Sequence, residues 1–176
     1  MSPARVLGTL HTDRLIIRPG RAEDAGIYRR LWTERDPRVP PHRRIDDQGR
    51  PTVADIAERI RVESEQAGPG IRSVQRKDTG EVIGYCGLVP YGNGSAEEPE
   101  LVYELLREVH GAGYATEAAG ALVAWAQEAG YRRVWAGVRV WNIPSRRVLE
   151  KLGFHEFGEV RPDSVHGYNL LTVLEF

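Results

Sequence analysis

In this chain of 176 residues, the residues best suited to chemistry are Gly111-Ala112-Gly113 and the segment that follows them. The apolar run Leu101 to Leu106 reads as a buried strand, the glycines make a turn, and Ala118, Leu122, Trp125 and Ala129 then recur at helical spacing. A helix that begins directly after such a turn presents first-turn amides with no intrahelical acceptor, and its aligned peptide dipoles favour negative charge there. Phosphate is the usual guest of such an end. Glycine at 111 and 113 lets a phosphate approach the backbone, because no Cβ intervenes and positive φ is accessible. Two nucleotide loops fit poorly. A dinucleotide fingerprint wants a third glycine where Thr116-Glu117-Ala118 stands, and a P-loop wants Gly-Lys-Ser/Thr, which is absent. A glycine pair before a helix also occurs in turns that bind nothing, so other residues must corroborate the cradle.

The elements that must position it read as follows. His11 to Pro19 is a short strand stopped by Pro19, with Leu15 and Ile17 on one face. Arg21 to Glu34 carries Ala25, Tyr28, Leu31 and Trp32 at helical spacing and stops near Asp36-Pro37. Arg38 to Pro51 has no periodicity and reads as a long loop, a kind of segment that is often functional in a compact domain. Thr52 and Asp55 form a capping pair for a second helix, with Val53, Ile56, Ala57 and Ile60 as its apolar stripe before Gly68-Pro69-Gly70. Ile71 to Gln75 and Glu81 to Val89 are strands joined by a turn, and Tyr91 to Pro99 is a polar loop. Beyond the central helix, Arg133 to Val140 alternates cleanly as a half-buried strand. Asn142-Ile143-Pro144-Ser145 opens a short helix ended by Gly153, and Phe154 to Val160 with Tyr168 to Phe176 forms a final strand pair.

Length suits one domain, residues 1–176, with enough chain for a substantial core. Net charge is −1 with both signs interspersed, which gives counterion release no source and argues against nucleic acid as a partner. The single cysteine, Cys86, excludes an internal disulfide and a cysteine-built metal site, and its apolar surroundings read as core. His155 and His166 have no metal-ligand spacing. No signal peptide or membrane-length apolar window is seen, so a cytoplasmic protein without a membrane partner is expected.

Two segments together resemble a known family. Gly111-Ala112-Gly113-Tyr114-Ala115-Thr116-Glu117-Ala118, and Asn142, Ser145 and Val148 to Phe154, with Leu15 to Pro19 in support, are similar to the GCN5-related N-acetyltransferases, in particular the branch that acetylates ribosomal-protein N-termini. The resemblance spans nearly the whole chain. It implies an α/β (α+β) fold with a mixed, strongly twisted sheet of about six or seven strands and about four helices. The fourth and fifth strands would splay to admit acetyl-CoA. Pantetheine would pair with the edge at Leu105, Leu106 and Arg107 as an added strand, the pyrophosphate would sit over Val109, His110, Gly111, Ala112, Gly113, Tyr114, Ala115 and Thr116, and Asn142 would reach the pantetheine arm. Glu108 stands where the wider family often has Arg or Gln. Leu149 stands where many members have a tyrosine that protonates the leaving thiolate.

Acetyl transfer to an amine needs a neutral nucleophile, an oxyanion donor and a proton for sulfur. The amide of Leu105 or Leu106 suits the oxyanion, because the splay leaves that edge unpaired. Ser145 is the candidate acid, with helix capping as its plainer role. Glu104 and Glu100 are candidate bases on alternating strand positions; Glu104 ranks first because burial in an apolar strand would raise its pKa, and its plainer roles are a solvated residue or an amine anchor. His42, Arg43 and Arg44 are placed at an anionic part of the acceptor, and Trp141 and Tyr91 at the entrance. Tyr103 and Trp125 are read as core, and His110 as a flank of the phosphates. The expected activity is acetyl-CoA-dependent N-acetylation of a primary amine, such as a protein N-terminal α-amine. Alternatives are acetylation of a small amine (an antibiotic or polyamine) and a non-catalytic acyl-CoA-binding module. Exposed strand edges are compatible with a monomer or a homodimer.

Overall fold

The computed structural model describes residues 5–66, 68–91, 95–158, 161–163 and 167–176. Its strands are β1 (Leu10–His11), β2 (Leu15–Pro19), β3 (Gly70–Arg76), β4 (Val82–Tyr91), β5 (Ser95–Leu105), β6 (Arg133–Arg139), β7 (His155–Glu156), β8 (Arg161–Asp163) and β9 (Gly167–Glu175); the helices are α1 (Ala25–Glu34), α2 (Val53–Ser64), α3 (Tyr114–Glu128) and α4 (Ile143–Lys151). The strands form one mixed sheet in the order β1-β2-β3-β4-β5-β6-β9-β7, with β8 paired to β9. The expected fold class holds. The sheet has nine strands among the described residues, more than expected, because β1 and β8 are two and three residues long and too short to display alternation.

Alternation along β4 and β5 explains the two layers. Cys86, Leu88, Leu101 and Leu105 meet Ala118, Leu122 and Ala126 of α3 and Leu149 of α4 in one buried cluster, whereas Tyr85 on the opposite face packs with Tyr28, Ile56 and Ile60 of α1 and α2. Helix α2 begins as its sequence requires, with Asp55 N–H donating to Thr52 Oγ1 at 3.1 Å and Thr52 N–H to Asp55 Oδ2 at 2.8 Å. The long loop contains one 3-10 turn at Pro41–Arg43.

Two readings need correction. The polar loop at Tyr91 to Pro99 is shorter, because pairing with β4 carries β5 back to Ser95 across Pro90↔Pro99. The strand read over Phe154 to Val160 is assigned only at His155–Glu156, although Phe157 N–H still donates to the Leu171 carbonyl at 2.9 Å; Val160 and His166 lie outside the described residues. In β2, Leu15 and Ile17 are buried as expected, but Arg18 on the opposite face is buried too, against Asp24 at 2.8 Å.

The strands expected to splay are β5 and β6 here, since Leu10–His11 adds one strand ahead of them. They run parallel and share a single register pair, Glu100↔Trp135, among the described residues. Close contact with β4 holds β5 on its other side: a Cβ on Gly84 would lie 2.2 Å from the Glu104 carbonyl. Glycine is therefore required at that crossing.

Candidate active site

The turn ahead of α3 is built from two glycines at positive φ, Gly111 at 79° and Gly113 at 84°. Val109 N–H donates to the Leu106 carbonyl and His110 N–H to the Arg107 carbonyl, both at 3.1 Å, closing a 3-10 turn. Their amides are therefore spent on the turn, so Val109 and His110 do not offer a phosphate the free amides expected of them. The first helical bond is Glu117 N–H to Gly113 carbonyl at 3.0 Å, which leaves the amides of Tyr114, Ala115 and Thr116 facing out of the helix end. A Cβ on Gly111 would meet nothing within 4 Å, so the approach there is open.

Residues not singled out in the sequence brace this turn. Arg14 donates to the Ala112 carbonyl at 2.8 Å and to Glu117 Oε2 at 2.6 Å, and its guanidinium lies 4.3 Å from the centre of the Tyr114 ring. Thr12 Oγ1 donates to Glu117 Oε1 at 2.6 Å. Burial opposes ionisation of Glu117, but these donors outweigh it and hold its carboxyl below the usual range. Glu117, on the first turn of α3, is thus committed to Thr12 and Arg14. Glu108 pairs with Arg30 at 2.9 Å. None of these partners is near in sequence, so no spacing signalled them.

At the end of β5, Leu106 N–H donates to the Ile83 carbonyl at 2.9 Å. Residues along a strand direct their amides alternately to its two sides, so Leu105 and Tyr103 direct theirs toward β6 and the splay. Leu106 is thereby removed as an oxyanion donor, leaving Leu105. Arg107 N–H donates to Glu34 Oε2 at 2.8 Å, so the edge for pantetheine is shorter than the expected Leu105 to Arg107. His110 turns back from the phosphate side, with Nε2 2.8 Å from the Leu105 carbonyl. Asn142 caps α4, its Oδ1 accepting from Ser145 N–H at 3.2 Å. Ser145 Oγ lies 2.8 Å from the hydroxyl of Tyr103, a residue read from sequence as core alone. Its ring does pack against the apolar cluster, as does Trp125, but its hydroxyl reaches the first turn of α4.

The two candidate bases on β5, Glu100 and Glu104, occupy opposite environments. Burial would raise Glu104, but Arg35 donates to both its oxygens, at 2.8 and 2.7 Å, and Tyr85 Oη donates at 2.6 Å. The net direction is down, reversing the raised pKa expected from sequence. Glu100 accepts one Gly137 N–H at 3.2 Å, and burial, outweighing that bond and the charge of Arg43, pushes it up. Glu100 lines a cavity of about 300 Å³ with Tyr91, Gly137, Phe157 and Asn169. Tyr91 stacks on Trp135 at 5.1 Å, and Phe157 meets Trp135 edge-on at 5.0 Å. The structure therefore brings Tyr91 and Glu100 together. Arg43 faces both carboxylates by its charge, while His42 and Arg44 are exposed on the same loop. Trp141 lies under Arg38 of that loop, 4.2 Å from ring centre to guanidinium.

An amide cradle, a parted strand edge, a serine at the parting and a raised carboxylate beside a cavity can together bind a phosphorylated thioester and an amine. Residues 14–155 match the model of the acetyltransferase (GNAT) domain. The chain is 32% identical over 157 residues to the uncharacterized N-acetyltransferase p20 of Bacillus licheniformis, covering 87% of this chain and 85% of that protein. Among solved structures it resembles an acetyltransferase from Agrobacterium tumefaciens (TM-score 0.71, 26% identity, 97% and 95% coverage). It also resembles Mycobacterium smegmatis RimJ in complex with CoA-disulfide (TM-score 0.70, 23% identity, 92% and 81% coverage). No helix of the described residues is long and apolar enough to cross a membrane.

Proposed function

Because the chain belongs to the GNAT acetyltransferase family, we propose that it carries the acetyl group of acetyl-CoA to a primary amine, with a peptide N-terminal α-amine as the first acceptor to test. The observation that carries this reading is the set of unpartnered first-turn amides at Tyr114, Ala115 and Thr116 behind an open approach at Gly111, on the chain that leaves β5 where it parts from β6. The CoA adduct named for RimJ and the ribosomal-protein-serine acetyltransferase named among the fold neighbours support the choice of substrates.

In this reading the diphosphate rests on the Gly111 to Thr116 amides, as a helix N-terminus favours. Pantetheine follows the β6 side of β5 past Leu105, and Asn142 meets it with its amide nitrogen, the side-chain oxygen being engaged in the cap. The amine enters from the face of Glu100. Its nitrogen attacks the acetyl carbon, a C–N bond forms, and the developing oxyanion accepts from Leu105 N–H. Glu100, five strand residues and about 16 Å from Leu105, takes the proton the nitrogen loses through a chain of waters. The C–S bond then breaks with its electron pair on sulfur; Ser145 Oγ steadies that thiolate by donating a hydrogen bond to it, and the thiolate takes its proton from solvent.

The test is free-thiol release from acetyl-CoA with peptide N-termini, lysine peptides, polyamines and aminoglycosides as separate acceptors. Release that depends on N-terminal peptides is the expected result. Release with small amines alone would overturn the acceptor, and calorimetry showing no acetyl-CoA binding would overturn the cradle itself.

A further inference from the structure

We infer that Tyr103 is a positioning residue that holds the Ser145 hydroxyl with its proton turned to the departing sulfur, an inference that rests on the acetyl-transfer reading above. Tyr103 Oη lies 2.8 Å from Ser145 Oγ and 3.0 Å from the Ser145 carbonyl oxygen. A phenol has one proton to donate. Given to the carbonyl, that proton leaves Ser145 Oγ to donate into the phenol, and the serine proton is spent there. Given to Oγ, it frees the serine proton for the sulfur, while the Ser145 carbonyl keeps its place in the hydrogen-bond ladder of α4. The two arrangements differ by hydroxyl rotation alone.

The phenol does not itself supply the proton. Burial, partly offset by the bond with Ser145, pushes Tyr103 up to about 12, whereas an ordinary thiol titrates near about 8.5. Transfer from Tyr103 to a thiolate would run uphill by about three powers of ten. A hydrogen bond given to Oγ requires no transfer. Position 149, on the same helix, offers no hydroxyl: it is Leu149, 3% exposed in the core. The hydroxyl that steadies Ser145 therefore comes from β5, across the splay, and moves no further than its own rotation.

The test uses CoA bound to the whole protein. The thiol of bound CoA is titrated by thiolate absorbance in the unaltered chain, in Tyr103→Phe, in Ser145→Ala and in the double variant. Phe keeps the packed ring, and Ser145→Ala leaves the Asn142 cap oxygen in place. The expected result is a bound-thiol pKa about one unit higher in each single variant, roughly a tenfold loss of thiolate, with the double variant no higher than Ser145→Ala. In turnover, kcat of Tyr103→Phe should fall about tenfold with KM for acetyl-CoA within about twofold, the split expected when an interaction made with the leaving group is lost. A Tyr103→Phe titration that overlays the unaltered protein, or effects that simply add, would overturn the proposal. Failure of the unaltered protein to bind CoA would instead overturn the acetyl-transfer reading, and this proposal with it.

Discussion

Glu100 and Glu104 share one strand face and differ in what approaches them from elsewhere in the chain. Sequence singled out both and ranked Glu104 first on burial, but Arg35, 69 residues away, supplies a fork of two hydrogen bonds that burial cannot overcome. Glu100, with an amide donor at 3.2 Å and burial that raises its pKa, is the more basic of the two carboxylates. If it is the base, kcat/KM rises with pH through a value above the usual carboxylate range as Glu100 loses its proton. Glu100→Gln should abolish that rise and lower kcat/KM by about 10²–10⁴, and Glu104→Gln should leave it in place. A pH–rate profile of Glu100→Gln that matches the unaltered protein would assign the base to water.

At the scale of elements, the strand, turn and helix from β5 to α3 were legible because a glycine turn between an apolar run and a 3.6 period is local information. The bracing of that turn by Arg14 was not, since Arg14 arrives from the loop ahead of β2. The two glycines are separable by experiment. An alanine at either position carries the left-handed penalty of about 1–2 kcal/mol, which for a chain of this size lowers Tm by about 2–8 °C. At Gly113 the new Cβ would only touch Arg14 Nη2, at 3.4 Å, whereas at Gly111 it enters the open space ahead of the helix. Calorimetry with CoA should therefore show a larger affinity loss for Gly111→Ala, at least about tenfold, corresponding to about 1.4 kcal/mol, while thermal melts show similar losses at the two positions. The reverse order would mean that the anion does not approach at Gly111.

For the whole molecule, the start of the chain is anchored by a buried ion pair rather than by apolar contact alone. Asp24 is 5% exposed and accepts from both Nη atoms of Arg18, from Ser73 Oγ and from the Arg21 amide. Burial opposes its charge, yet these donors hold its carboxyl below 3.8. A depressed folded value means that the contribution is complete above that pH and is lost as pH falls through 3.8 toward the folded pKa. Asp24→Asn should cost about 3–5 kcal/mol near neutrality, because it leaves Arg18 buried without its partner. Denaturant titrations should show the gap between variant and unaltered protein closing in acid; a gap independent of pH would place the effect in packing alone. The same separation runs through the chain as a whole. Sequence by itself determined the helices, the Thr52–Asp55 cap and the glycine turn, because hydrophobic period, capping chemistry and glycine conformations act over a few residues, and two short motifs carried the resemblance to the family. Only tertiary structure decided the pairing of Glu104 with Arg35, the commitment of Glu117 to Arg14, the loss of Leu106 and Arg107 as free amides and the reach of Tyr103 to Ser145. Each of these joins groups far apart in the chain, and the balance of burial against a hydrogen-bonding partner has no value until the fold has chosen the partner.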